Sequence, residues 1–285
     1  MVIDGPIAAV APSGAFDPAR FEAGLALARE AGFDVVPLPD LMRPERYLAA
    51  PDAHRLAQLV DALTDPRWSA VWMVRGGYGL GRLLGQIPWD RLPRRPVLGF
   101  SDATALFAGL YAADRGPCVH APVLHSLGGT DDESRAATWA LLRGEPPAPM
   151  AGTTWVDGEA EGPVLGGNLT MFASLCGTPW AVHARGHVVL LEDVGEAPYR
   201  LDRAIGQLRQ AGFFDGVLGV ALGEFSGCKP PEGATWSLDD ALSDLRGLGV
   251  PVIAGLPVGH AARNRPFVWG SRVRLGDGAL SFEPA

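Results

Sequence analysis

From residue 6 to residue 113 the chain alternates short apolar runs with segments whose apolar residues recur at helical spacing. PIAAVA (6–11), DVVPL (34–38), SAVWMV (69–74) and PVLGF (96–100) have the length of buried strands. Residues 17–31, 52–64 and 102–113 carry the helical period, with Gly32 as a stop and Asp52 as an N-cap. This rhythm predicts a mostly parallel sheet covered by helices, since parallel strands need long crossover connections. The stretch GEPPAPMAG (144–152) has neither period and predicts a linker. Beyond it, strand-like text at 187–191, 217–222 and 251–254 alternates with helical text at 199–211 and 236–247, and SRVRLGDGALSF (271–282) predicts a hairpin. The expectation is two α/β domains, 1–143 and 160–285, joined by a linker over 144–159.

Composition excludes several classes of function. With 285 residues and 47% hydrophobic side chains the chain can bury a sizeable core, so whole-chain disorder is ruled out. A net charge of -8 opposes the dense negative charge of nucleic acid. No segment approaches ~20 consecutive apolar residues, and the first basic residue, Arg20, follows the N-terminal apolar run. A cytoplasmic protein without membrane partners is therefore expected. Three cysteines without a CxxC pair suit a reducing compartment, and Cys176 and Cys228 are expected to be inert core thiols.

GFSDA (99–103) lies between a strand-like and a helix-like segment. A sharp strand-to-helix turn strains the central residue and projects its side chain from the sheet, and small flanking residues relieve the crowding. Gly99 and Ala103 are those residues, and Ser101 is the candidate nucleophile; an N-capping residue at an ordinary junction is the plain alternative. A serine needs a base, and the base an orienting group. Of six histidines, His54, His183 and His187 suit surface positions, whereas His260 follows the strand-like PVIAGL at the end where open α/β sheets build sites. In VVLLEDVGEAPY, Glu192 directly follows the apolar run and falls where a strand would open to solvent; Glu196, just before Pro198, suits a helix start.

RGGYGLGRLLG (75–85) follows SAVWMV and is expected to open a helix. Gly79, Gly81 and Gly85 approach a dinucleotide fingerprint, with Asp102 at ribose-ligand distance, but the last spacing is wrong and the strand is the third of the chain. Gly76 and Gly77 better suit a backbone nest whose N–H groups approach a substrate oxygen. Cys118, His120 and His125 match no strong zinc spacing. Asn168 in GGNLT reads as a helix cap or as a site amide.

Together, VAPSG (10–14), RYLA (46–49), VRGGYGLGRLL (74–84), GFSDATAL (99–106), GGNLT, LLEDVGEAPYRLDR (190–203), AIGQLRQAG (204–212), LGEFSGC (222–228) and GLPVGH (255–260) resemble the LD-carboxypeptidase family of serine peptidases. The resemblance runs over nearly the whole chain. It implies an N-terminal flavodoxin-like domain, a smaller C-terminal β-rich α/β domain and a homodimer. It also implies a catalytic triad of Ser101, Glu192 and His260, with oxyanion donors at the Gly77 and Asp102 N–H groups and substrate contacts at Gly76 and Asn168. No metal or cofactor is called for. The implied reaction releases terminal D-alanine from a cytoplasmic muropeptide tetrapeptide through an acyl-enzyme, with Arg75 or Arg203 as candidate partners of the substrate carboxylate. An immunity-type amidase acting on aminoacyl- or peptidyl-nucleotide antibiotics is the alternative, with Trp269 as a base-stacking candidate; a binding protein that lost catalysis is a third. The chain departs from the family at His120-Ala121-Pro122, where HGP is common, and at PFVWG (266–270).

Overall fold

A computed structural model describes residues 1–283. The chain divides into two compact units, one formed by Met1–Glu145 with Arg265–Val268, the other by Pro146–Asn264 and the chain from Trp269 onward. The division differs from the expected domains in that residues 265–268 return to the first unit.

In the first unit, β1 (Ile7–Val10), β2 (Val35–Pro37), β3 (Ala70–Met73), β4 (Val97–Gly99) and β5 (Cys118–His120) form a parallel sheet in the order β2-β1-β3-β4-β5. The late strand β12 (Phe267–Val268) adds antiparallel to β5 at the far edge. This is the flavodoxin order, in which the connections from β1 and β3 diverge and leave a crevice at the carboxyl ends of the strands. Strands β1 and β3 are buried at every position, as a sheet covered on both faces requires. Helix α1 (Pro18–Glu30) starts at Asp17, whose carboxylate accepts the Ala19 and Arg20 N–H groups. Helix α3 (Ala103–Ala112) is apolar on all sides and is buried from Ala103 to Leu110. Helix α4 (Asp132–Leu142) closes the unit's helical set.

Two local expectations fail here for physical reasons. Helix α2 (Asp52–Thr64) is capped by Pro51, and Asp52 lies inside the first turn. Its carboxylate instead receives Arg82 and Arg55, which hold its pKa below the ordinary carboxylate value. The segment after β3 opens no α-helix but two 3-10 turns, Leu80–Arg82 and Leu84–Gln86. Gly79 at φ +145° cannot continue a helix, and its backbone lies against the guanidinium of Arg55.

The second unit is built on one mixed sheet. Strands β6 (Met150–Ala151), β7 (Thr153–Val156), β8 (Ala160–Asn168), β9 (Val188–Val194), β10 (Gly219–Ser226), β11 (Val252–Ala254), β13 (Arg272–Gly276) and β14 (Ala279–Phe282) run in the order β6-β14-β13-β8-β9-β10-β11-β7. The centre, β8-β9-β10-β11, is parallel and the flanks are antiparallel. The expected linker over 144–159 is thus corrected: it carries β6 and β7, the two edges of the sheet. These edges are consecutive in sequence, so the segment 150–156 ties one edge to the other and leaves little strand edge unpaired. Helices α5 (Leu169–Leu175) and α6 (Pro198–Gln210) pack together on this sheet. The helical text at 236–247 yields only α7 (Leu238–Ala241) and a 3-10 turn, Ser243–Leu248, ended by left-handed Gly249.

Arg55 is fully buried and donates to Ala50 O and Pro12 O as well as to Asp52. Replacing it with methionine leaves those buried acceptors unsatisfied. Arg55→Met is expected to lower the stability of the first unit by about 3–5 kcal/mol in urea unfolding.

Candidate active site

Ser101 stands between β4 and α3 with φ +64°, a left-handed backbone that L-residues adopt at a cost. Such strain is of order 1–3 kcal/mol and persists only where surrounding structure enforces it. The enforcement is visible on three sides. A Cβ built on Gly99 would lie 2.9 Å from Ala103 Cβ, so both small residues are needed for the turn to close. A Cβ built on Gly76 would lie 2.8 Å from Ser101 Cβ and 3.1 Å from its Oγ, so the Arg75-Gly76-Gly77 backbone packs directly against the hydroxyl. Asp102, 1% exposed, accepts hydrogen bonds from Ser13 Oγ at 2.7 Å and from Leu80 N at 2.9 Å. Burial pushes this carboxyl above its ordinary value, against the two hydrogen bonds that stabilise its charge.

Asp102 therefore ties the serine turn to the loops after β1 and β3. Those loops are also laced to each other. Gly14 N donates to Gly76 O, Ala49 N to Ser13 O, Ala15 N to Tyr47 O, and the Arg75 guanidinium to Ala15 O. Together they border a cavity of about 570 Å³ lined by Gly14, Tyr47, Arg75, Gly77 and Tyr78. Sequence reading named Gly76, Gly77 and Arg75 but assigned no role to Ser13, Tyr47 and Tyr78, although they lie within VAPSG, RYLA and VRGGYGLGRLL, segments that carry the family resemblance. The dinucleotide reading does not survive: Asp102 is an internal tie rather than a ribose ligand.

In the second unit, Glu192 Oε2 lies 2.6 Å from His260 Nδ1. An ionised carboxylate can only accept, so Nδ1 carries the proton and the neutral ring keeps its lone pair on Nε2. Glu192 is fully buried, two residues before β9 reaches solvent at Val194, so the expectation that it sits at the strand's opening is corrected. Gly259, at φ +148° immediately before His260, would place a Cβ 3.0 Å from Glu224 O and 3.4 Å from Glu192 Oε2. Its N–H donates to Asn264 Oδ1, fixing the loop that presents the imidazole. Burial alone would lower the His260 pKa, but the charge and hydrogen bond of Glu192 outweigh it and the net shift is upward.

Neighbouring carboxylates have other duties. Asp193, on the opposite face of β9 from Glu192, accepts from Asn168 Nδ2 and from the Thr170 N–H and hydroxyl, anchoring the start of α5. Asn168 caps that helix through Met171 N, which is the capping alternative for this residue. Glu196 faces Arg200 at 3.4 Å, one helical turn on. Trp269, the base-stacking candidate, is buried, donates to Gly166 O and stacks on Phe172. Arg203 lies over the Tyr199 ring. His183 is exposed, and His54 and His187 are half-buried. Cys118 and His120 are core residues, the thiol against Phe107 O and the ring stacked on Phe267. Cys228 is buried, but Cys176 is only half-buried, which corrects its placing in the core. The described residues hold no cluster of three or more His, Cys, Asp or Glu side chains able to bind a metal, and no helix among them is long and apolar enough to cross a membrane.

Comparison with known proteins adds four findings. Residues 7–121 match the model of the LD-carboxypeptidase N-terminal domain and residues 161–275 that of its C-terminal domain. The chain is 34% identical over 289 residues to a murein tetrapeptide carboxypeptidase of Pseudomonas aeruginosa, covering 96% of this chain and 94% of that one. Its fold superposes on the crystal structure of a muramoyltetrapeptide carboxypeptidase from Oxalobacter formigenes with a TM-score of 0.87, 28% identity and 97% of each chain covered. The microcin C7 self-immunity protein MccF shares the fold at a TM-score of 0.88 and 20% identity, over 100% of this chain and 97% of that one.

Two outcomes follow from the local geometry. In an NMR titration of the ring nitrogens, His260 is expected to titrate above the ordinary histidine value of ~6.5, and in Glu192→Gln below it, because burial then acts without the carboxylate. Gly76→Ala should displace Ser101 and slow its labelling by a fluorophosphonate by about 10²-fold or more.

Proposed function

Because the chain belongs to the LD-carboxypeptidase family, a family of peptidases, we propose that it removes the terminal D-alanine from muropeptide tetrapeptides by serine catalysis. The bond cut joins the L-centre of the third-position diamino acid to D-alanine. The observation that carries this reading is Ser101, held in a left-handed turn at the carboxyl end of β4 with a glycine backbone packed against its hydroxyl. Such an arrangement exposes a nucleophile, whereas an ordinary helix cap has no need of strain.

In the proposed mechanism His260 Nε2 takes the proton from Ser101 Oγ as the oxygen attacks the scissile carbonyl carbon. Glu192 keeps the proton on Nδ1 and stabilises the imidazolium that forms. The N–H groups of Gly77 and Asp102 receive the developing oxyanion; one such donor is worth about 10²–10³ in rate. His260 then protonates the leaving amine of D-alanine. Water, deprotonated by the same ring, hydrolyses the acyl-enzyme and restores the serine. The same chemistry would serve an immunity-type amidase, so substrate choice is the point to test. A cytoplasmic homodimer acting without metal or cofactor belongs to the same proposal.

Incubation with a muropeptide tetrapeptide and with an aminoacyl sulfamoyl nucleoside, followed by mass spectrometry, is expected to show D-alanine release from the first and no cleavage of the second. The reverse result would reassign the protein to the amidase reading. Ser101→Ala should abolish turnover while leaving unfolding unchanged. Glu192→Gln should cost up to ~10⁴ in rate, and Glu196→Gln little. Since only the neutral ring accepts a proton, kcat/KM should fall as pH drops through the raised His260 pKa, with the acid limb above ~6.5.

A further inference from the structure

The cavity bordered by the loop after β3 has a cation at its wall. Arg75 is exposed and lines that cavity. Its guanidinium donates to the carbonyl of Ala15 and, among the described residues, forms no ion pair. Within the same unit Arg43, Arg55, Arg67, Arg82 and Arg94 each meet a carboxylate, whereas Arg29, Arg95 and Arg143, like Arg75, donate to backbone carbonyls. What distinguishes Arg75 among these is its place, exposed at the wall of the cavity. The bond to Ala15 O uses one edge of the guanidinium and fixes its plane, leaving further N–H donors of the fork for an acceptor outside the protein.

Position adds to chemistry. Gly14 follows β1 and Arg75 follows β3, so the cavity opens at the divergence point of the parallel sheet, where ligands of such sheets bind. Arg75 precedes Gly76, the residue packed against the Ser101 hydroxyl. A carboxylate held by Arg75 and a carbonyl attacked by Ser101 would therefore meet the same loop. The volume, about 570 Å³, falls within the usual range for small-molecule sites. It exceeds what a lone alanine fills, so the terminal residue and part of its neighbour fit together. Tyr47 and Tyr78 stand 57% and 48% exposed, edge to face on each other at 5.6 Å, and line the same cavity as Arg75.

We propose that Arg75 binds the C-terminal carboxylate of the substrate, so that this arginine, with Tyr47 and Tyr78 as walls, makes the enzyme an exopeptidase. The inference rests on the peptidase reading above and names the group by which that site selects a chain end. A planar carboxylate matches the arginine fork with two parallel hydrogen bonds, a geometry that neither an internal peptide bond nor a C-terminal amide reproduces. The carboxylate remains on the released amino acid, so Arg75 contacts the leaving residue and takes no part in proton transfer.

The experiment compares the tetrapeptide ending in D-alanine with the same peptide ending in D-alaninamide, and repeats both with lysine replacing diaminopimelate. Turnover is read by mass spectrometry. Affinity is read by calorimetry in the Ser101→Ala background, where no turnover is needed. The unmodified protein should favour the free acid by about 10²-fold, as the loss of charge-assisted hydrogen bonds predicts. Arg75→Met should bring the acid-to-amide ratio to within about threefold, and Arg75→Lys should restore part of it, with the change in KM rather than kcat. An Arg75→Met protein that loses affinity for acid and amide alike, keeping the ratio, would show a merely structural arginine and overturn the inference. So would a dependence on Arg75 that disappears with the lysine peptide, since Arg75 would then hold the diaminopimelate carboxylate. If the unmodified protein releases D-alanine while Arg75→Met keeps its preference, only the Arg75 assignment falls. If it releases none from any tetrapeptide, the peptidase reading falls and takes the assignment with it.

Discussion

The left-handed backbone of Ser101 is the constraint on which the first unit depends. A non-glycine residue at φ +64° relaxes unless every neighbour opposes the relaxation. Gly76 fills the space on one side, Ala103 and Gly99 meet on another, and Asp102 pins the next residue to Ser13 and Leu80. The loops after β1, β3 and β4 are consequently one object. The serine cannot move without disturbing the Gly76-Gly77 backbone, which also borders the cavity. Rigidity at Ser101 and shape at the cavity have a common origin.

Buried carboxylates do different work according to what reaches them. Asp102 accepts from a hydroxyl and a backbone N–H, and burial raises its pKa, so it acts as a structural tie. Glu192 meets an imidazole and sets its tautomer and its charge. Asp193, one residue later, points to the other face of β9 and anchors α5. The alternation of a strand thus separates a carboxylate paired with an imidazole from one that anchors a helix at adjacent positions. Buried acidic groups of this kind need partners, since an unpaired buried charge is costly. The partner in each case identifies the role.

The periodicity of the first 113 residues made the parallel sheet and its helices legible, because buried strands and amphipathic helices leave different repeats in the sequence. GFSDA announced the turn, since only small residues at 99 and 103 let such a turn close. The segment 150–156 was illegible as strands. Its two pieces are two and four residues long, flanked by prolines and glycine, and become strands only because β14 and β11 offer edges from distant parts of the chain. Asp52 failed as a cap for a similar reason: Arg82, thirty residues away, competes for its carboxylate.

By itself the sequence determined the alternation of elements, the strained serine turn and the set of histidines and acids from which a base and its partner are drawn. These are local properties, fixed by side-chain volume, backbone freedom and spacing. The sequence already favours Glu192 over Glu196 for His260, but only the tertiary structure brings Glu192 and His260 together across 68 residues, while Glu196 faces Arg200. It also decided that Arg75 is left without an acid beside two exposed tyrosines, one from a loop far upstream. Such pairings depend on which strand ends and loops become neighbours, and that is settled by the burial of the whole sheet, which no single segment encodes.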